Sequence, residues 1–396
     1  MAPSTLSHPR SGARSRPPYP AGRLLSRVHL PRSRARNGAA GGRGTAEPRV
    51  RRTRTRRRRA ARPGVADRYA HLAPGVRNFS PSWSAALSTR ERRRPPRLRA
   101  GDTVAVVAPA GPVPADLLDA GIDLLRSWDL RVVPGKHVRE RHPRLNYLAG
   151  TDADRAADLQ QAWCDPDVAG VVCARGGYGS MRLLDHLDWT AMSNAGHKVF
   201  AGSSDVTALH GAFGNKLDLA TVFGPMIGTA AFVEDGAARE HFRRTLFAPE
   251  SVTIITRRGA EALVPGRARG ITYGGNLALA AAALGAPDTA PPPERGIALL
   301  EDVGEDPYRL DRALTQLLRA GWFDRASGVA LGSWSGCGPQ EDVRDVLRNL
   351  LGDLGIPVLG ELGFGHCAAQ RTMPLGVAAE LDTSAQRLSV LQPALR

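Results

Sequence analysis

Residues 103–108 form an unbroken apolar, β-branched run, closed by Pro109-Ala110-Gly111-Pro112. A run without polar alternation suits a strand covered on both faces, as in a parallel sheet. Over residues 115–128 the apolar positions move to helical spacing, at Leu117, Leu118, Ile122 and Leu125. Residues 130–133 then read as a second strand, 152–163 as a helix with Asp152 near its start, and 168–173 as a strand. Residues 183–187 and 198–201 continue the strand series. Strands alternating with helices predict an open parallel α/β sheet with right-handed crossovers. Sites in such sheets lie at the carboxyl ends of strands. Residues 175–179 and 203–205 both fall there.

The second half changes rhythm. A connecting stretch, residues 231–251, holds a helix over about 236–245. Beyond residue 252 the pattern predicts a strand at 297–300 running into Glu301 and an amphipathic helix at 308–320. A strand at 329–332, a helix at 342–354 and strands near 358–361 and 375–380 follow. No internal repeat is visible. The expected organisation is a tail (1–96), a first α/β domain (97–230), a linker (231–251) and a second α/β domain (252–396).

Composition changes that picture only at the start. The chain of 396 residues has a formal charge of +16, but residues 1–100 hold 26 arginines, no lysine and three acids. Residues 101–396 carry 28 basic against 35 acidic side chains, so the folded part is mildly acidic. The Arg-, Pro- and Gly-rich tail has no amphipathic period and too little apolar surface to offset its conformational entropy, which predicts disorder. Its steepest run, residues 49–59, has the composition of a nucleic-acid or anionic-membrane patch. Three lysines against 51 arginines in the whole chain point instead to GC-rich coding, and no specific nucleic-acid partner is expected. No run approaches the ~20 apolar residues of a membrane span. Residues 24–30 are too broken for a signal peptide. Cys164, Cys173, Cys337 and Cys367 show no metal spacing, which suits a reducing cytoplasm. The histidines form no HExxH-type arrangement, and neither a metal nor a cofactor is expected.

The candidate chemistry lies in three distant stretches. Ala-Gly-Ser-Ser-Asp-Val-Thr at 201–207 has the form of a nucleophile elbow, a serine on the sharp turn between a strand and a helix. Leu-Leu-Glu-Asp-Val-Gly at 299–304 and Gly-Phe-Gly-His at 363–366 supply a carboxylate and an imidazole. Serine is a poor nucleophile until a base takes its proton, and the base works best when a third group orients it. Ser204, His366 and Glu301 fill those roles. Each residue also has a plainer reading: Ser203, Ser204 or Asp205 as a helix N-cap, Glu301 as a strand-end charge, His366 as a satisfied loop histidine. Cys367, beside His366, points to the opposite face in an extended chain and is expected to be passive. Arg175-Gly-Gly-Tyr-Gly179 lacks the Gly-Lys-Ser/Thr ending of a phosphate loop and otherwise reads as a tight turn.

Two further groups of residues accompany these stretches, Ala-Arg-Gly-Gly-Tyr-Gly-Ser-Met-Arg-Leu-Leu at 174–184 and Gly274-Gly275-Asn276-Leu277, and the Gly-His of the third stretch stands before Cys-Ala-Ala-Gln. Together the chain resembles, over about residues 97–392, the LD-carboxypeptidase family of serine peptidases, which includes the microcin-immunity peptidases. Ser203 and Cys367 depart slightly from that family's pattern. The resemblance implies that Ser204 is the nucleophile and that Glu301 and His366 complete a triad split between two domains. It implies an oxyanion hole from the N–H of Asp205 and one glycine of 176–177, with Gly177 preferred. Asp205 itself is expected to cap the following helix. It further implies release of a C-terminal D-alanine from a murein tetrapeptide during cytoplasmic recycling, and a homodimer. A carboxypeptidase must bind a free carboxylate, and Arg175 is the candidate, or else a structural ion-pair partner. Two rivals remain at this point: a microcin-immunity-type peptidase with the same triad, and a non-enzymatic two-lobe binder of an anion.

Overall fold

The computed structural model of the chain describes residues 91–396, apart from residue 290; the expected tail lies outside the described residues up to residue 90. Strand β1 (Thr103–Val107) is buried throughout, as an unbroken apolar run requires. It is followed by α1 (Ala115–Arg126), β2 (Arg131–Pro134), α2 (Asp152–Cys164) and β3 (Val168–Cys173). Thr151 caps α2, its hydroxyl accepting from Asp154 N, so the helix starts where its first acid suggested. Next come a 3₁₀ segment (Ser180–His186), α3 (Trp189–Asn194), β4 (Val199–Gly202), a 3₁₀ turn (Ser204–Val206), α4 (Thr207–Lys216) and β5 (Thr221–Phe223).

The expected strand at 183–187 is therefore the second half of a 3₁₀ segment. Leu183 and Leu184 are buried at adjacent positions, which a short apolar run of that kind does not distinguish from a strand. Helices α5 (Ala230–Val233) and α6 (Gly236–Phe247) occupy the expected linker. That stretch is part of the first lobe. Phe232, Phe242 and Leu246 are fully buried with Val104 and Val106 of β1, and Leu98 N donates to Leu246 O at 3.0 Å.

The second lobe is built from β6 (Ile254–Ile255), β7 (Glu261–Val264), β8 (Arg267–Asn276), α7 (Leu277–Ala282), β9 (Gly296–Val303), α8 (Pro307–Arg319) and β10 (Ala326–Ser335). It continues with α9 (Gln340–Leu351), β11 (Val358–Gly360), β12 (Met373–Leu375), β13 (Ala378–Asp382) and β14 (Arg387–Val390). The first sheet runs β12-β5-β4-β3-β1-β2, parallel except for β12, and the second runs β6-β14-β13-β8-β9-β10-β11-β7. The single strand expected at 375–380 is thus two strands in different sheets. Gly376, at φ +84°, makes the bend between them. One apolar cluster joins Val104, Val222 and Phe223 of the first sheet to Leu299, Leu359 and Leu381 of the second. The two lobes share a core.

Order also begins earlier than residue 97. Arg92 N donates to Gly376 O at 2.8 Å, Arg93 N to Asp218 O at 2.7 Å, and Arg396 N to Pro95 O at 3.0 Å. Residues 91–96 belong to the fold because its two lobes meet around them. Among the described residues no helix is long and apolar enough to cross a membrane.

Candidate active site

Strand β4 ends at Gly202, where a Cβ would lie 2.8 Å from Val206 Cγ1 and 3.1 Å from Cys173 Cβ. Only glycine lets the chain turn that tightly back over β3. Ser203 is still extended, and Ser204 then takes φ +58°, in the left-handed region that a non-glycine residue enters at a cost of roughly 1–2 kcal/mol. Strain of this kind gathers where a side chain must be presented rather than packed. Ser203 is buried and Ser204 half-buried, so the turn presents Ser204.

Gly176 faces it. A Cβ at Gly176 would lie 3.0 Å from Ser204 Cβ and 3.2 Å from Ser204 Oγ, so the glycine allows bare backbone to approach the hydroxyl. Gly177 follows at φ +106°, and the Gly176 carbonyl accepts from Gly111 N at 2.9 Å. Asp205 does not cap α4 as expected; no side chain caps that helix. Its carboxylate instead accepts from Ser180 N at 2.7 Å, while the Ser180 hydroxyl donates to the Asp205 carbonyl. Asp205 therefore clamps the Gly-rich turn to the serine turn, the two segments expected to form the oxyanion hole. Arg155, buried, supports the same turn by donating to Gly179 O at 3.0 Å.

Across the shared core, Glu301 lies near the end of β9, followed by the buried Asp302, and is completely enclosed. A buried carboxylate needs donors. Glu301 Oε2 accepts from His366 Nδ1 at 2.7 Å and from His366 N at 3.2 Å; Oε1 accepts from Asn276 Nδ2 at 3.3 Å. Gly365 makes the first contact possible, because a Cβ there would stand 2.3 Å from Glu301 Oε2. Burial lowers the proton affinity of His366, but the hydrogen bond and charge of Glu301, with Asp302 behind it, raise it more, and the net shift is upward. A proton on Nδ1, donated to Glu301, leaves Nε2 free to accept one.

The structure brings Glu301 and His366 into direct contact. It joins Ser204 to them indirectly: Asn276 N donates to Thr207 Oγ1, three residues after the serine, at 3.0 Å, while Asn276 Nδ2 reaches Glu301 and Asp302. No hydrogen bond joins Ser204 to His366 among the described residues, and such contacts commonly tighten only around substrate. Asn276 was visible in the sequence as part of a Gly-Gly-Asn motif but carried no expected role. Ser180 and Thr207 likewise fell within quoted stretches, 174–184 and 201–207, without an expected role of their own. Arg175 is exposed, makes no ion pair among the described residues, and donates to Pro112 O at 3.0 Å, beside the glycine turn. Burial pushes the Cys367 thiol upward despite the nearby Arg257 charge, which keeps it a weak nucleophile. No three metal-ligating side chains gather among the described residues.

Comparison with known proteins agrees with this architecture. Residues 104–224 match the LD-carboxypeptidase N-terminal domain and residues 269–381 the LD-carboxypeptidase C-terminal domain. A provisionally named carboxypeptidase of Streptomyces coelicolor is 57% identical over 306 residues, covering 77% of this chain and 98% of the relative. The murein tetrapeptide carboxypeptidase of Pseudomonas aeruginosa is 33% identical, over 70% of this chain and 92% of its own. The crystal structure of muramoyltetrapeptide carboxypeptidase from Oxalobacter formigenes superposes with a TM-score of 0.63 at 31% identity, over 72% of this chain and 97% of that one. With both domain models matched in order around a strained serine turn and a Glu–His pair, the chain belongs to the LD-carboxypeptidase family.

Proposed function

We propose that this chain is a serine carboxypeptidase that cleaves the bond between an L-centre and a C-terminal D-alanine in murein tetrapeptides, as a cytoplasmic step of cell-wall recycling. The observation that carries the reading is the His366–Glu301 hydrogen bond, 2.7 Å long, at the lobe boundary where Ser204 is held at φ +58°. In the first step His366 Nε2 takes the Ser204 proton as Oγ bonds to the scissile carbonyl carbon. The C–N bond then breaks, and His366 returns the proton to the departing D-alanine amine. In the second step water gives a proton to His366, attacks the acyl-serine, and releases the shortened peptide as Ser204 regains its proton.

The developing oxyanion is assigned to the N–H groups of Asp205 and Gly177, each such donor contributing about 2.7–4 kcal/mol in enzymes of this kind. The Asp205–Ser180 clamp supports that assignment by holding the two backbones together. Arg175, anchored at Pro112 and free of acidic partners among the described residues, is assigned to the substrate's terminal carboxylate. Incubating the protein with murein tetrapeptide and scoring free D-alanine by mass spectrometry tests the reading. Release is expected from the wild type and absent from Ser204→Ala. Unchanged release from that variant would move the nucleophile, with Ser203 the next residue to test.

A further inference from the structure

Arg155 is the fourth residue of α2 and is enclosed. Helical side chains lean toward the helix N-terminus, which carries the guanidinium to the sheet edge that bears the serine turn. Nη1 donates to Pro109 O, beyond the end of β1, and to Gly179 O, beyond the end of β3, the latter at 3.0 Å. Nη2 donates to Asp152, whose second oxygen accepts from Arg182 Nη2 at 2.7 Å. The charge of Asp205, in the turn after β4, also acts on it. One buried fork therefore serves the segments that leave three neighbouring parallel strands.

Stability alone does not account for an arginine there. Its charge is stripped of water, and Nε is enclosed without a hydrogen-bond partner. Well-packed apolar side chains are often the more stable choice at such positions. What the fork holds is the backbone facing the nucleophile. Gly111, two residues beyond Pro109, donates its N–H to Gly176 O at 2.9 Å. No peptide among the described residues is cis, so the N–H of Gly177 points away from Gly111 across the same planar unit. Ser204 Oγ lies at this turn, 3.2 Å from where a Gly176 Cβ would stand. With the peptide turned over, a developing oxyanion would meet a carbonyl lone pair in place of a donor.

We propose that Arg155 is a positioning residue for acyl transfer. By tying the backbone at Pro109 to that at Gly179, it keeps Gly111 on the Gly176 carbonyl and so keeps the N–H of Gly177 turned to the reacting centre. Arg155 touches neither substrate nor nucleophile and acts only through that peptide. This rests on the serine-peptidase reading above, and names what orients the donor which that reading requires.

The test compares Arg155→Lys with Gly111→Ala in the full chain. Lysine keeps the charge but lacks the planar fork. The alanine Cβ would stand 2.8 Å from Gly176 O and displace that carbonyl. Each variant is read by D-alanine release from murein tetrapeptide, by the rate at which a fluorophosphonate phosphonylates Ser204, and by melting temperature. In both, kcat and the labelling rate are expected to fall together by roughly 100-fold or more, the loss that follows removal of one oxyanion donor. KM should change little, because the interaction is made in the transition state. The acid limb of the pH profile, assigned to His366, should stay in place, which a general loosening of the site would not allow. Both changes act through one peptide, so the double variant should be hardly worse than either alone. Wild-type kcat in folded Arg155→Lys, a loss confined to KM, a displaced acid limb or multiplying losses overturns the proposal. If Arg155→Lys does not fold, wild-type turnover in Gly111→Ala overturns it instead. Labelling that depends on Arg155, in a protein whose wild type releases no D-alanine, overturns the peptidase reading and leaves the positioning role standing. No labelling of Ser204 in the wild type overturns both.

Discussion

At the scale of single residues the site rests on one backbone permission and one charge. Gly365 lets Glu301 reach His366, so Gly365→Ala, which places a methyl 2.3 Å from the carboxylate and at φ +88°, is expected to separate the pair. We expect kcat to fall by at least about 100-fold, as removal of base orientation does elsewhere, with a circular dichroism spectrum like the wild type's. A normal kcat in a folded Gly365→Ala protein would remove Glu301 from the mechanism. The charge sets a pH dependence. His366 must be neutral to act as base, and its proton affinity is raised in the fold, so kcat/KM should rise with pH through a point above the ordinary imidazole value of about 6.5. Glu301→Gln should move that point downward as well as slow the reaction; an acid limb that stays in place would assign it to another group. Among the triad variants Glu301→Ala should be mildest, and Ser204→Ala combined with His366→Ala hardly worse than either alone, because the residues act as a unit. Multiplying losses in the double variant would show that they do not.

Elements were legible in the sequence wherever one local period decided them. Strand β3 was expected at 168–173 and is found there; α2 and α8 were expected within one residue at each end. Failures came where tertiary contacts decide. Strand β8, Arg-Ala-Arg-Gly-Ile-Thr-Tyr-Gly-Gly-Asn, is neither alternating nor apolar, yet lies inside the second sheet and delivers Asn276. Its glycines are demanded by neighbours: a Cβ at Gly270 would meet Arg295 O at 1.7 Å, and one at Gly274 would meet Leu299 O at 2.3 Å. No local pattern records that. The three catalytic candidates were legible because elbow and Gly-His turns need particular residue types, while the Asp205–Ser180 clamp joins segments 25 residues apart and left no trace in spacing. Residues 91–96 were misjudged for the same reason, since their composition is that of the tail and only their partners show them to be structural. A protein beginning at residue 91 should therefore melt like the full chain and keep its activity. One beginning at residue 97 loses the Arg92 and Arg93 bonds to Gly376 and Asp218 and is expected to melt several degrees lower by calorimetry. Equal melting temperatures would return that segment to the tail.

On the scale of the whole molecule the lobes are coupled rather than hinged. Thr207, Asn276 and Glu301 form a polar chain between them, and an apolar cluster runs beneath it, so the serine turn and its base are held by one interior. The order in which a ribosome delivers these parts has its own consequence. Strand β5, at the edge of the parallel strands, has no outer partner until β12 is made, some 150 residues later. Until then the emerging nucleophile lobe carries an open edge, the kind of surface on which nascent chains associate. Residues 91–251 produced alone should accordingly be recovered in the insoluble fraction, and supplying residues 252–396 as a separate chain should raise the soluble yield. If the first lobe is soluble and monomeric by itself, β12 is an ornament. If not, maturation is the last event in synthesis: the strand that closes the first sheet emerges only after Ser204, Glu301 and His366 have all been made, so no partial chain is exposed as an active hydrolase.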